Sequence, residues 1–133
     1  MIYYQIEKRH DAFHDCDIYI PQPAAGTTIS LSRLAEEISG QCTLSKADCL
    51  AALEAMQDSI ATHIAQGNSV RLGILGSFQP KMKATSANDP KDITADNVKE
   101  VGVKFRPTNE FKARLRATRI AQSPETAQQR KKQ

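Results

Sequence analysis

The sequence of 133 residues has no tryptophan and only three tyrosines and four phenylalanines. A core for such a chain must be built mainly from leucine, isoleucine, valine, alanine and methionine. The longest apolar runs extend over only a few residues, whereas a membrane-spanning helix needs about 20. The length matches a single globular domain, for which roughly 100–200 residues are usual. The sequence therefore predicts a globular chain with no membrane partner.

Cysteine is scarce, and its count is odd: Cys16, Cys42 and Cys49. Residues 1–7 lack the basic start and the apolar stretch of a secretory signal. We therefore predict no disulfide framework and expect a cytoplasmic location. Cys42 and Cys49 lie beside or on a predicted helix and are interpreted as small buried apolar residues.

Enzyme signatures are also missing. The sequence has no phosphate-binding glycine-rich loop, no serine elbow and no zinc-binding histidine pair on a helix. We therefore predict neither catalysis nor a cofactor. The spacing of His10, His14 and Cys16 is compatible with a transition metal. Three polar residues in a loop are the more common explanation, and no metal site is predicted.

Charge is distributed unevenly along the chain. Residues 1–66 hold four basic and nine acidic side chains, a balance of −5. Residues 67–133 hold fourteen basic and six acidic side chains, a balance of +8. The second half is therefore suited to a polyanion, although a solvated basic face is the common alternative.

Residues 1–29 are predicted to form a β extension followed by a linker. Apolar side chains alternate over residues 2–7, which is the period of a strand. Residues 17–20 form a second short β segment before Pro21. Because residues 8–17 are polar, we expect a hairpin with a long loop.

Two helices are predicted next. The first begins near Ser30, with Thr28 and Ser30 both suited to be its N-cap, and ends at Gly40. The second has Ser45 as its N-cap and continues for about 22 residues to a stop at Gly67. Apolar residues recur along it at steps of three and four: Leu50, Leu53, Ile60 and Ile64. A long helix with many small residues favours packing against a partner helix.

A β meander and a short helix are predicted to follow. Strands flank a turn at residues 73–76 and a polar segment at residues 84–97. Pro80 removes a backbone donor, so the second strand is expected to lie at an edge or to be bulged there. A short helix follows Pro107. Residues 120–133 are basic, lack apolar periodicity and are predicted to be a disordered tail.

These segments together resemble the bacterial HU and integration host factor family of histone-like DNA-binding proteins. The resemblance covers about residues 30–116. It depends on the order and spacing of several segments: Leu44-Ser45-Lys46, Ala51-Ala52-Leu53-Glu54-Ala55, Gly67-Asn68-Ser69-Val70-Arg71-Leu72, Leu75-Gly76-Ser77-Phe78 and Phe105-Arg106-Pro107. The residues before 30 are similar to the N-terminal extension of longer HU-related proteins of Bacteroidetes.

The resemblance implies an α+β fold over residues 30–119 in the form of an intertwined dimer. Each subunit would have two N-terminal helices, a three-strand sheet with a protruding β-ribbon arm and a short C-terminal helix. A homodimer is expected, and a heterodimer with another HU-like subunit stays open. The residues assigned to the dimer core are Leu50, Leu53, Ile60, Ile64, Leu75, Phe78 and Phe105.

The resemblance also implies that two arms enter the minor groove of double-stranded DNA, where a proline near each tip wedges between base steps. The candidate DNA contacts are Lys81, Lys83, Pro90, Lys91, Lys99, Lys104 and Arg106. Lys81 and Lys83 fall where the family has arginines. Basic side chains after residue 110 are further candidates for phosphate contact or belong to a solubilising tail: Lys112, Arg114, Arg116, Arg119, Arg130, Lys131 and Lys132.

The predicted arm departs from the family pattern. Asn88 stands where an arginine is expected, and acidic side chains surround the tip, where they oppose the approach of phosphate. These acidic residues are Asp89, Asp92, Asp96 and Glu100. Pro90 is therefore assigned either to intercalation or to the shaping of a turn. Gly73 and Gly76 are three residues apart, whereas the family's two turn glycines are two apart.

Two functions follow from these observations. The first is architectural, nucleoid-associated binding of double-stranded DNA with low sequence specificity, condensing or bending the duplex. The alternative is an HU-fold dimer used as a protein-interaction or structural module with weak or no DNA binding. The N-terminal strands favour the alternative, because they would add to a sheet edge of either subunit or use Tyr3, Tyr4 and Tyr19 to dock another protein.

Overall fold

The structure is a computed structural model that describes residues 1–124. These residues form three α-helices and six β-strands, arranged in two three-stranded sheets. The expected α+β class is thus confirmed. The described chain divides into two compact units: residues 29–113, and residues 1–28 together with residues 114–124. Among residues 1–124, no helix is long and apolar enough to cross a membrane.

Two capped helices open the larger unit, α1 (Leu31–Ser39) and α2 (Lys46–Ala65). The hydroxyl of Ser30 accepts a hydrogen bond from the backbone N–H of Arg33 at 3.2 Å. The hydroxyl of Ser45 accepts one from Asp48 at 3.1 Å. Each bond satisfies a helix-start donor that would otherwise have no partner. Ser45 is confirmed as the predicted N-cap, and of the two candidates for α1 the cap is Ser30, not Thr28.

The end of α2 is set by Gly67. This glycine has φ +86°, which a residue with a Cβ adopts only at a cost. The backbone N–H groups of Gly67 and Asn68 donate to the carbonyls of Ile64 and His63, both at 3.0 Å. This pair of bonds is a Schellman motif. Helix α2 therefore has 20 residues, close to the predicted length.

The second sheet belongs to the same unit and consists of β3 (Val70–Leu72), β4 (Gly76–Ala84) and β5 (Val98–Pro107), in antiparallel order β3-β4-β5. Gly76 lies where β4 comes close to β5. A Cβ at this position would overlap the carbonyl of Arg106 and approach the ring of Phe105 to 2.9 Å. Helix α3 (Asn109–Arg116) follows β5. The Thr108 hydroxyl donates to the carbonyl of Ile74 and accepts from the N–H of Phe111.

Pro80 lies in β4 opposite Val103 of β5. Strand β3 pairs with β4 only over residues 76–78, so at Pro80 the sheet has one described neighbour, β5. No strand pairs with β4 on the side of β3 at this position, so the missing N–H of the proline costs no hydrogen bond on that side. Strand β4 is thus the central strand of the sheet over residues 76–78 but an edge at Pro80, so the prediction holds for this part of the strand. An irregularity in the ladder follows at Lys83 and Ala84.

Little apolar surface is covered within the described chain. Ala35 and Cys49 are its only buried apolar side chains. Burial raises the pKa of the Cys49 thiol, and its hydrogen bond with Cys42 raises it further. Cys42 itself is exposed, so the prediction that both cysteines are buried holds only for Cys49.

The smaller unit contains the other sheet, formed by β1 (Ile2–Asp11), β2 (Cys16–Pro23) and β6 (Ile120–Gln122) in the order β2-β1-β6. The hairpin loop is shorter than expected, since it spans only residues 12–15. Polar residues 8–11 extend β1 because opposite charges meet across the strands: Lys8 Nζ lies 3.1 Å from Asp17 Oδ2. This end of the hairpin is exposed, so a strand with polar side chains on both faces is tolerated there.

Strand β6 pairs in parallel with β1, and Ile2 lies opposite Ile120. Residues 120–122, expected to begin the tail, are thus part of a sheet. The N-terminal strands do not join the β3-β4-β5 sheet. The rest of the expected tail from residue 125, with Arg130, Lys131 and Lys132, lies outside the described residues.

Candidate nucleic-acid interface

The paired strands β4 and β5 have one basic and one apolar face. Residues directly opposite each other in an antiparallel ladder project from the same face. Gln79 lies opposite Lys104, Lys81 opposite Gly102 and Lys83 opposite Glu100, and Ser77 opposite Arg106. Four of the candidate DNA contacts therefore share one face, which we call the basic face: Lys81, Lys83, Lys104 and Arg106.

The opposite face of the same strands is apolar. Phe78 lies opposite Phe105, Pro80 opposite Val103 and Met82 opposite Val101. The rings of Phe78 and Phe105 are 5.1 Å apart between centroids, within the range of a favourable aromatic pair. The alternation of the sequence thus separates charge from apolar surface along the whole ribbon.

Arg71 is a fifth cation of the basic face that the sequence analysis did not select. It lies in β3 opposite Ser77, and Ser77 lies opposite Arg106. Arg71 therefore projects from the same face as Arg106. The alternation of Val70, Arg71 and Leu72 indicates a strand with Arg71 on its polar face. Three residues are too few, however, to predict a strand face from the sequence.

The five cations of the basic face are exposed. The ion pairs found within residues 1–124 all involve other residues. Gly102 leaves room for Lys81, because a Cβ at position 102 would lie 3.1 Å from Lys81 Cε. The lysine stem can therefore lie across β5, which leaves its ammonium available to solvent or to a phosphate.

The segment between β4 and β5 holds Pro90 and Lys91 away from this ladder. Pro90 starts a single 3₁₀ turn, Pro90–Asp92. The carboxylate of Asp89 accepts from the backbone N–H of Lys91 at 3.0 Å. Lys99, in β5, donates through its ammonium to the carbonyl of Asp96 at 3.1 Å. These three candidate DNA contacts are exposed but are not brought onto the basic face.

An apolar groove of about 600 Å³ lies between α2 and the apolar face of the sheet. Its walls include three of the residues assigned to the dimer core, Ile60, Ile64 and Phe78. Val101 and Val103 also line it, and they are 65% and 49% exposed. The other assigned core residues, Leu50, Leu53, Leu75 and Phe105, do not line this groove.

The histidines near the N-terminal hairpin pair with carboxylates. His14 Nδ1 lies 2.6 Å from Asp11 Oδ2, and this hydrogen bond is the main cause that lowers the pKa of the Asp11 carboxyl. His10 contacts Asp15 and Asp17 at 3.3 and 3.4 Å. Within the described part of the chain, no group of three or more potential ligands is arranged to hold a metal ion.

Comparison with known proteins decides the family. A family model described as an HU domain fused to a wHTH, Ig or glycine-rich motif matches residues 1–122. The chain belongs to this HU family. HU and integration host factor proteins are non-enzymatic, DNA-binding architectural proteins that function as dimers. The placement within a Bacteroidetes subgroup stays a prediction.

Relatives among integration host factor subunits support the assignment. The chain is 30% identical over 93 residues to integration host factor subunit alpha of Methylorubrum extorquens strain PA1, which covers 68% of this chain and 86% of the relative. The corresponding subunit of Methylorubrum populi is 29% identical over 93 residues, with the same coverage.

Two solved structures share the fold. A candidate DNA-binding protein from Bacteroides vulgatus ATCC 8482 superposes with a TM-score of 0.64 at 13% identity and covers 92% of this chain. The chain spans only 49% of that protein's length. An Anabaena HU crystallised with DNA superposes with a TM-score of 0.54 at 18% identity, over 68% of this chain and all of the HU chain.

Proposed function

We propose that the protein is a nucleoid-associated architectural protein that binds double-stranded DNA as a dimer, with little sequence preference. The observation that carries the proposal is the basic face of β3, β4 and β5, with five exposed cations and an apolar reverse side. A strand pair of this kind can present charge to DNA while its other face packs on protein. Family membership over residues 1–122 supports the same function.

Phosphate neutralisation supplies most of the affinity in this proposal. Each phosphate contacted by a cation contributes about −0.9 to the slope of log K against log salt for duplex DNA. Lys81 is paired with Gly102, and Lys83 and Lys104 each lie two residues along their strand from this pair. Contacts of lysine and arginine with phosphate carry no base information, so weak base preference is expected.

The dimer in this proposal is held by the apolar groove. A monomer would leave Val101, Val103 and the groove-lining residues of α2 in water, and exposed patches of this kind usually mark a protein interface. A second copy that inserts its own α2 and sheet residues would cover them in both subunits. The ribbon segments around Pro90 would then extend from the dimer as two arms, with Lys91 and Lys99 approaching DNA.

The acidic side chains of residues 89–100 favour the alternative function, an HU-fold dimer that serves as a protein-interaction module. Asp89, Asp92 and Asp96 lie in the exposed segment that would approach phosphate, and like charges there cost free energy. The proposed DNA binding therefore requires that the attraction of phosphate to the basic face exceed its repulsion by the acidic segment.

The proposal is tested by fluorescence anisotropy of a short random duplex at several salt concentrations. We expect Lys81→Glu/Lys83→Glu to weaken binding by about tenfold or more and to reduce the salt slope by about 2, because two phosphate contacts are lost. Lys46→Glu, a single charge reversal of the same kind at the exposed start of α2, is the control and should change affinity less than about twofold. Equal affinities of wild type and double variant would contradict the proposal, as would the absence of binding by wild type at low salt.

A further inference from the structure

We propose that the apolar face of the N-terminal sheet packs against the same face of a second copy of this chain, forming a small two-layer sandwich. The inference rests on the proposed dimer of the HU-like unit, and it concerns a surface that DNA binding does not use. The residues of this face are Ile2, Tyr4, Ile6, Pro21, Pro23 and Ile120.

The two faces of this sheet differ in chemistry. Ile6 lies opposite Pro21, Tyr4 opposite Pro23 and Ile2 opposite Ile120, so these six residues share one face. They line a concave surface that encloses a volume of about 520 Å³. The other face carries Gln5, Glu7 and Arg9 on β1, with Glu7 and Arg9 paired at 3.1 Å, and Ile20 and Ile18 opposite Glu7 and Arg9 on β2. The first face is therefore uncharged where these six residues line it, whereas the second face mixes charged and apolar side chains.

The sheet is a single layer within its unit. Apart from the last turn of α3, β1, β2 and β6 are the regular elements of this unit in residues 1–124. A sheet with one apolar face reaches a stable arrangement when a second layer covers that face. Ile120, 71% exposed, and Tyr19, 66% exposed, show how open this face is.

The lack of free charge on this face indicates that the layer covering it is apolar. No ionisable side chain other than the two tyrosines lines the concave surface. The next charged residues on the same face, Lys8 and Asp17, pair with each other at 3.1 Å. The face therefore offers no free cation to a nucleic acid and no free charge to a charged peptide. An uncharged apolar face is complementary to itself, as a two-fold interface requires.

The small area of this face indicates that the layer covering it belongs to a partner that is already bound through another interface. Three strands about 4.8 Å apart, two of them covered over about five residues and β6 over its three, give a footprint of roughly 200 Å². Two such faces bury well below the roughly 1,200 Å² of the smaller stable interfaces. A second copy bound through the HU-like unit has a high effective concentration, which makes a small additional contact favourable. The two sheets would then pack about 10 Å apart.

The first test measures the dimer dissociation constant of the full chain by sedimentation. We expect Ile6→Asp to raise this constant by about tenfold or more, since a carboxylate would enter the apolar contact. Gln5→Asp, the same introduced charge on the opposite face of the same strand, should leave it within about twofold. Equal constants for Ile6→Asp and wild type would overturn this inference while leaving the proposed function intact. A wild-type chain that stays monomeric would contradict the proposed dimer itself.

A second test does not depend on the variant Ile6→Asp folding. Cys16 and Cys42 are changed to serine and Cys49 to alanine, and a spin label is attached to Pro21→Cys or, as the matched control, to Gln22→Cys on the opposite face. In the dimer, we expect the Pro21 labels of the two copies to lie within about 25 Å, and the Gln22 labels to lie farther apart by about 10 Å or more. Pro21 labels no closer than Gln22 labels would overturn the inference, because the face would then be covered within one chain or left open.

Discussion

Lys83 lies directly opposite Glu100 in the β4–β5 ladder. The two residues project from the basic face, and Glu100 is the one acidic residue that the described ladder places there. No ion pair closer than 4.0 Å joins them, since the ion pairs among residues 1–124 involve other partners. Glu100 therefore lowers the positive potential of the face without being neutralised by its neighbour.

Removal of this carboxylate should strengthen DNA binding. We expect Glu100→Gln to raise affinity by about two- to fivefold at low salt, because a like charge leaves the surface that faces phosphate. The gain should shrink as salt screens the charges. Anisotropy titrations at two salt concentrations measure it, with Glu54→Gln on the exposed side of α2 as control. A loss of affinity would show that Glu100 holds Lys83 in its binding position instead.

Arg71 provides an independent test of the extent of the basic face. We expect Arg71→Gln to lower affinity for duplex DNA and to reduce the salt slope by about 0.9, the value for one phosphate contact. Arg33→Gln on α1, where the arginine already pairs with Glu37 at 3.2 Å, should leave the slope unchanged. An unchanged slope for Arg71→Gln would limit the basic face to β4 and β5.

Local signals in the sequence predicted the helix caps and the surroundings of Pro80. Ser30 and Ser45 are caps in both sequence and structure, because a hydroxyl at a helix start satisfies a backbone donor whatever surrounds it. The edge position of Pro80 followed equally from local chemistry, since proline has no N–H. The basic face was partly predictable, because Lys81 and Lys83 are two residues apart and strands alternate with period 2.

Features that depend on pairing between distant segments were not predictable from local pattern. Strand β6 has only three residues, and its pairing with Ile2–Tyr4 depends on chain segments more than 110 residues apart. Arg71 joined the basic face only through the register with Ser77. The hairpin loop was overestimated because the ion pair of Lys8 with Asp17 stabilises strands that look too polar when taken alone.

Gly76 should be the least replaceable residue of the ribbon. A Cβ there would overlap the Arg106 carbonyl and approach the Phe105 ring to 2.9 Å, so β4 and β5 would have to separate at the start of their ladder. We expect Gly76→Ala to destabilise the fold by about 2 kcal/mol or more. Gly26→Ala is the control, because a Cβ at position 26 meets nothing within 4 Å. Thermal unfolding of the two variants measures the difference, and equal midpoints would contradict the tight approach at Gly76.

Substitution of Pro90 tests the bending of DNA separately from the affinity for DNA. Its ring is exposed at the start of a 3₁₀ turn, so it is available to enter a base step, and wedging of this kind costs a few kcal/mol of stacking in return for a kinked duplex. We expect Pro90→Ala to reduce the bend of a duplex, measured by energy transfer between dyes at its two ends, while phosphate contacts at the basic face keep the affinity within about tenfold. Ser86→Ala, in the same exposed segment, is the control for changes that only perturb this loop. Bending that is unchanged in Pro90→Ala would mean that the ring serves the turn alone, and that any bend made by the dimer arises from charge on the basic face.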